Sequence, residues 1–210
     1  MASNDNLFAV VLPAGGLGLR MGGQIPKQLL PLKGKPVYRH SLDTFLSLKE
    51  ISEVVLAVPQ DWKEHFENEI LIAGISTEWK NKLKIVVGGK ERWQSVRNGV
   101  HALTSNAKYV LVHDVARPFI SKELLTQIFE TLVSKGSCIV AKECADTVKV
   151  VTNGKIEKTL DRNSIWLAQT PQCASVELLK NLYQKIELHQ LLLLQYRRLR
   201  ISKYLNRYQR

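Results

Sequence analysis

Four apolar runs rich in β-branched residues, Phe8 to Leu12, Val54 to Val58, Lys84 to Val87 and Tyr109 to Val112, lack the alternation of a half-exposed strand. They read as strands buried on both faces. Each is followed by a helical pattern, Val37 to Leu48, Trp62 to Ile70, Arg92 to Leu103 and Lys122 to Ser134. The last opens on Ser121 as N-cap with the acidic Glu123 in its first turn. Strands alternating with helices predict an α/β, doubly wound, mostly parallel sheet, whose ligands gather in the crevice at the carboxyl ends of the strands. A further strand is expected at Ser137 to Lys142, and then the pattern changes. Val148 to Val151 and Lys155 to Thr159 flank Asn153-Gly154, a strong hairpin dipeptide. This hairpin, within an arm spanning about 147–162, has little apolar material to bury by itself, so it is expected to pack on a second subunit in a symmetric dimer.

Composition narrows the function classes. The chain has 210 residues, 45% of them hydrophobic, enough for one core and a single main domain. No stretch approaches the roughly 18 uninterrupted apolar residues of a membrane span, and Met1 to Asn6 lacks the charged-then-apolar layout of a secretory signal, so a cytoplasmic protein is expected. Cys138, Cys144 and Cys173 have no CxxC spacing and are expected as buried thiols in a reducing compartment. The net charge of +11 invites a nucleic-acid reading, but Lys185, Arg197, Arg198, Arg200, Lys203, Arg207 and Arg210 against Glu187 alone place more than half of the excess beyond Gln184. A terminal cluster outside any recognition fold argues against a specific nucleic-acid partner.

Candidate chemistry concentrates in the loop after the first strand, Leu12-Pro13-Ala14-Gly15-Gly16-Leu17-Gly18-Leu19-Arg20-Met21-Gly22-Gly23-Gln24-Ile25-Pro26-Lys27. No GK[ST] follows, which excludes a Walker loop, and Met21 stands where the dinucleotide fingerprint needs its third glycine. Glycines still let backbone N–H groups approach phosphate oxygens, with Arg20 and Lys27 adding positive charge. Asp114, at the carboxyl end of the strand Tyr109 to Val112, is placed either to hold a divalent cation or to act as an N-cap or a partner for Arg117. His113 has no metal-ligand spacing to another His or Cys and reads as structural. Ser95 is alternatively a simple first-turn helix residue, and Thr147 and Arg162 flank what is alternatively an ordinary surface hairpin.

Ala14-Gly15-Gly16 with Gly18, Arg20, Met21, Pro26, Lys27 and Gln28 resembles the signature loop of the sugar-phosphate nucleotidyltransferases, and Pro26-Lys27-Gln28 is similar to the 2-C-methyl-D-erythritol 4-phosphate cytidylyltransferase family. Three more segments resemble that family in the same order. These are Gly88-Gly89-Lys90-Glu91-Arg92 with Ser95-Val96, His113-Asp114-Val115-Ala116-Arg117-Pro118, and Asp146-Thr147-Val148-Lys149 through Asp161-Arg162 to Gln169-Thr170-Pro171-Gln172. The resemblance implies a Rossmann-like nucleotidyltransferase, with CTP and a polyol phosphate as substrates, Mg²⁺ or another divalent cation as cofactor, and a homodimer joined through the arm. It implies Arg20 and Lys27 as catalytic cations, and Pro13, Ala14, Gly15, Gly16, Gly18, Gly88, Gly89, Arg92 and Ser95 as nucleotide-binding. Asp114, Arg117, Thr147 and Arg162 are then acceptor-binding, Asp114 also holding the metal and the arm residues serving the partner's site. Trp166 and Thr170 read as packing and backbone positioning.

The match covers about Leu7 to Lys185, so the cytidylyltransferase domain is expected at 1–186. Members of the family normally continue with a TD[DE]A-type segment, another strand and an N-x-K-[IV]-T motif. Residues 187–210 instead read Leu-rich and then Arg- and Tyr-rich, as an atypical basic tail expected to be a short amphipathic helix or disordered. The expected reaction is transfer of CMP from CTP to 2-C-methyl-D-erythritol 4-phosphate. A ribitol 5-phosphate cytidylyltransferase and a CTP-binding dimer with weak or no turnover are the alternatives.

Overall fold

A computed structural model describes residues 7–15 and 25–185, and the backbone of 200–202. The chain opens on β1 (Phe8–Pro13), buried throughout. Beyond a 3-10 turn at Lys27–Leu29 lies a small hairpin of β2 (Pro31–Leu32) and β3 (Lys35–Pro36). Then come α1 (Val37–Leu46), β4 (Ile51–Val58), α2 (Lys63–Ile72), α3 (Thr77–Lys82), β5 (Leu83–Val87), α4 (Arg92–His101), β6 (Tyr109–Val112), α5 (Lys122–Lys135) and β7 (Cys138–Glu143). The arm is β8 (Lys149–Thr152) and β9 (Lys155–Thr159), followed by β10 (Trp166–Ser175), α6 (Val176–Lys185) and β11 (Arg200–Ser202).

The main sheet runs β11-β7-β10-β6-β1-β4-β5. Strands β4, β1, β6 and β5 are parallel, whereas β10 is antiparallel to both β6 and β7. The doubly wound expectation is met because β1 supplies two cores from alternate residues. Phe8, Val10 and Leu12 join Leu42, Phe45, Leu125 and Ile128 on one face, while Ala9 and Val11 join Val96, Val100 and Tyr183 on the other. One expectation fails at the edge, since β5 is only half-buried along its length. Among the described residues it has a partner on one side alone, so its outer edge lacks the cover that β1 and β4 enjoy.

Two chain ends of helices follow local rules. The Ser121 hydroxyl accepts from Leu124 N at 3.2 Å and Gly136 closes α5 at φ 79°, the N-cap and left-handed stop that the helix needs. Asn153 and Gly154 both take positive φ, 50° and 78°, as the tight hairpin turn requires. Among the described residues β8 and β9 pair only with each other, and Val151 and Ile156 stand exposed on the arm.

At the other end of the sheet from the strand carboxyl termini, Glu53 is buried within β4. Its carboxylate accepts from Thr104 N at 2.9 Å, Ser105 N at 2.8 Å and Thr104 Oγ1 at 3.1 Å, with Lys84 Nζ at 3.3 Å. Burial by itself raises the pKa of this acid, but the donated hydrogen bonds outweigh it and hold the value below the usual carboxylate range. A depressed folded pKa stabilises the fold above the unfolded value and is lost as pH falls through the folded one. The urea-midpoint gap between wild type and Glu53→Gln is therefore expected to be wide at neutral pH and to close below about pH 4.5. A gap that stays constant across that window contradicts the assignment.

The basic extension was expected as helix or disorder, yet the backbone of Arg200–Ser202 is a strand parallel to Cys138–Val140 of β7. The reason is the edge of β7, whose N–H and C=O groups would otherwise lack ladder partners. The rest of 187–210 lies outside the described residues.

Candidate functional site

The crevice rule places ligands where β1, β5 and β6 end, and a cleft of about 230 Å³ lies there. It brings together Pro13, Ala14, Gly15, Lys27, Gly89, Arg92, Ser95 and Asp114, eight of the residues singled out from sequence. Gly16, Gly18 and Arg20 lie outside the described residues.

The floor is a close approach of backbone to a buried hydroxyl. Ser95 Oγ accepts from Gly89 N at 3.0 Å, and Gly88 N donates to Val58 O at 2.7 Å, so the turn after β5 is pinned to α4 and to β4. A Cβ on Gly88 would stand 2.6 Å from Ser95 Oγ, and one on Gly15 2.9 Å from it. Only glycine fits at these positions with Ser95 in place. The residue expected to bind the nucleotide therefore also braces the glycine turn. Ala14 N donates to Ala57 O at 2.7 Å, which extends the β1 ladder to the start of the loop.

Lys27 enters on the 3-10 turn, where Leu29 N donates to Pro26 O at 2.9 Å and Leu30 N to Lys27 O at 3.2 Å. Gln28, buried, donates its side-chain amide to Ala14 O. That bond ties the two flanks of the glycine loop, so Lys27 is carried to the cleft by its neighbour's side chain. Arg92 opens α4 behind a capping box of Glu91 and Gln94, with Glu91 N donating to Gln94 Oε1 at 2.9 Å. The positive end of α4, Lys27, Lys90 and Arg92 make the cleft favourable to an anion.

Asp114 is paired across the cleft with Arg92, Nε to Oδ1 at 2.7 Å. The suggested pairing with Arg117 is not made. Arg117 instead donates to the Gln169 amide oxygen, in a neighbouring depression of about 340 Å³ that also takes in His113 and Thr170. His113 is buried, as a structural histidine should be, and burial pushes its pKa down to about 4. Thr147 and Arg162 are exposed on the arm, Arg162 Nη1 donating to Ala145 O at 3.2 Å, and lie in neither hollow of this protomer.

Sequence reasoning passed over Gln28, Lys90 and Glu91 as site-lining residues, and read Thr170 as packing and backbone positioning. The available signal was Pro26-Lys27-Gln28 itself, the segment that carried the family resemblance. Among the described residues no group of three or more His, Cys, Asp or Glu could hold a metal, and no helix is long and apolar enough to cross a membrane. All three cysteines are buried and free, as expected.

Residues 8–192 match the family model of 2-C-methyl-D-erythritol 4-phosphate cytidylyltransferase. A chloroplastic protein of that description from Oryza sativa subsp. japonica is 37% identical over 187 residues, covering 89% of this chain and 61% of the rice protein. One from Lachnospira eligens is 37% identical over 179 residues, covering 85% of this chain and 76% of that protein. The chain thus spans less than two thirds of the rice relative and about three quarters of the bacterial one. Among solved structures, the 4-diphosphocytidyl-2C-methyl-D-erythritol synthase of Anaerococcus prevotii superposes with a TM-score of 0.77 at 27% identity, covering 94% of this chain and 87% of that one. The 2-C-methyl-D-erythritol 4-phosphate cytidylyltransferase of Francisella tularensis superposes at 0.70 with 28% identity, covering 93% and 89%.

Proposed function

This chain belongs to the 2-C-methyl-D-erythritol 4-phosphate cytidylyltransferase family, and from that premise we propose that it transfers CMP from CTP to 2-C-methyl-D-erythritol 4-phosphate. The products are 4-diphosphocytidyl-2-C-methyl-D-erythritol and pyrophosphate. The observation that carries the reading is the single cleft in which a glycine-lined, Ser95-braced hollow, Lys27 and Asp114 meet at the strand carboxyl ends.

A phosphate oxygen of the acceptor attacks the α-phosphorus of CTP, a new P–O bond forms, and the bond to the bridging oxygen breaks with its electron pair leaving on pyrophosphate. The protein's work is placement and charge. Lys27 supplies a compact positive charge and Arg20 a forked one to the equatorial oxygens. Gly15, Gly88 and Gly89 let a flat base come close to backbone, and Ser95 holds that backbone still. Asp114 and Arg117 serve the acceptor, with Thr147 and Arg162 reaching it from the partner's arm.

A single carboxylate can hold Mg²⁺ when phosphate oxygens complete the shell, and Asp114 is a carboxylate of the cleft suited to that, with Arg92 beside it as its alternative partner. Bound there, the cation would offset charge on the triphosphate. The exposed Val151 and Ile156 of an arm paired only with itself among the described residues support dimerisation through it. Three buried free thiols support a reducing, cytoplasmic setting. Residues 1–186 form the catalytic unit in this reading and 187–210 a basic extension.

The test is pyrophosphate release by the purified chain with CTP, Mg²⁺ and methylerythritol phosphate, with ribitol 5-phosphate in parallel and sedimentation of the same sample. Turnover of methylerythritol phosphate by a dimer is expected. Preference for ribitol 5-phosphate would reassign the acceptor, and silence with both, if CTP still binds, would favour a CTP-binding dimer without turnover.

A further inference from the structure

His113 directly follows β6, and its ring turns inward to meet Phe45 edge-on at 5.5 Å between centroids. Both ring nitrogens are engaged. Nε2 lies 3.0 Å from Arg117 O, and Nδ1 lies 3.1 Å from Thr170 Oγ1. A carbonyl oxygen has lone pairs only, so Nε2 carries the hydrogen and donates. Nδ1 is then bare and accepts the Thr170 hydroxyl hydrogen. That leaves an Oγ1 lone pair for Asp114 N, which donates to it at 3.3 Å. One donor–acceptor assignment satisfies every group, running Asp114 N–H to Thr170 O–H to His113 Nδ1, and His113 Nε2–H to Arg117 O. The loop is closed within by Arg117 N donating to Asp114 O at 2.9 Å.

We propose that His113, as the Nε2–H tautomer, is a positioning residue that clasps the Asp114 to Arg117 loop onto Thr170 of β10 and so aligns the acceptor side of the cleft. The proposal rests on the reading of Asp114 and Arg117 as acceptor-side residues. His113 touches no substrate in it. The ring grips both ends of a short loop that carries one carboxylate and one guanidinium, and the aromatic contact with Phe45 fixes the ring to the core. Thr170 lies where the β10 ladder is irregular, between Ala168 and Gln172, which frees its hydroxyl to face the loop.

The experiment uses the full chain, isotopically labelled, with His113→Gln and Thr170→Val as variants. Long-range proton–nitrogen correlation on the His113 ring is expected to find the hydrogen on Nε2, and a hydrogen on Nδ1 would overturn the clasp. Exchange of the Asp114 amide is expected to quicken by about tenfold or more in both variants while Val110 and Leu111 stay within about twofold. Unchanged Asp114 exchange in folded His113→Gln refutes the proposal, and should that variant not fold, Thr170→Val decides alone. In kinetics, acceptor kcat/KM is expected to fall by about 100-fold in His113→Gln with the CTP KM within about twofold. Equal losses for both substrates would mark a general structural role and overturn it. A wild type silent with every acceptor defeats the proposed function, while the tautomer and the amide exchange still decide the clasp.

Discussion

Lys27→Ala is expected to lower turnover at saturating CTP and acceptor by about 10³-fold, the scale lost when one preorganised charge is removed from a developing oxyanion. The residue's place explains why the loss should fall on turnover. It stands exposed at the head of a 3-10 turn whose next residue, Gln28, is buried and bonded to Ala14 O. The turn is therefore held at the cleft whether or not position 27 carries a charge. Removing the amine leaves the glycine hollow, Ser95 and the α4 terminus intact, so CTP should still bind with a milder change. Lys27→Arg should recover only part of the rate, since a planar fork does not reproduce a point charge on a flexible stem. The measurement is pyrophosphate release, with circular dichroism to establish folding. Near-normal turnover by pure, folded Lys27→Ala would remove Lys27 from the mechanism.

Gly99→Val is expected to cost about 3 kcal/mol of stability, the upper part of the range for overpacking a filled interior. Gly99 lies on the face of α4 that meets β1, where an added Cβ would overlap the Val11 side chain. Val11 cannot yield easily, because β1 is bonded to β4 on one side and β6 on the other. The helix has to move, and with it Arg92 and Ser95 at its far end. The urea midpoint should fall and the KM for CTP should rise together. Gly99→Ala should show a smaller loss of both, whereas an unchanged midpoint in Gly99→Val would mean that α4 does not rest on Val11.

Much of the architecture was legible because it follows local rules. Phe8 to Leu12 and Tyr109 to Val112 are apolar at consecutive positions, which suits only a strand covered twice. Asn153-Gly154 turns because both residues tolerate positive φ. By contrast, β10 was hidden by its own content. Gln169, Thr170, Pro171 and Gln172 carry no strand pattern, and their strand exists because Gln172 to Ser175 pair with β6 and Trp166 to Ala168 with β7. Glu53, just ahead of the apolar run Val54 to Val58, gave no warning of its partners, which come from Lys84 on β5 and the turn at Thr104 and Ser105. The half-buried edge of β5 was likewise invisible, since strand order decides who sits at an edge.

The sequence by itself determined the layered α/β class, the hairpin arm, and the residue types of the cleft, because periodicity, turn chemistry and glycine content act within a few residues. Tertiary structure alone decided which of those residues meet. Asp114 pairs with Arg92, 22 positions away, and not with its near neighbour Arg117, while His113 bonds Thr170, 57 positions away. Those choices depend on β6 lying between β1 and β10 and on where α4 begins, and the sheet order that sets both comes from packing of distant segments.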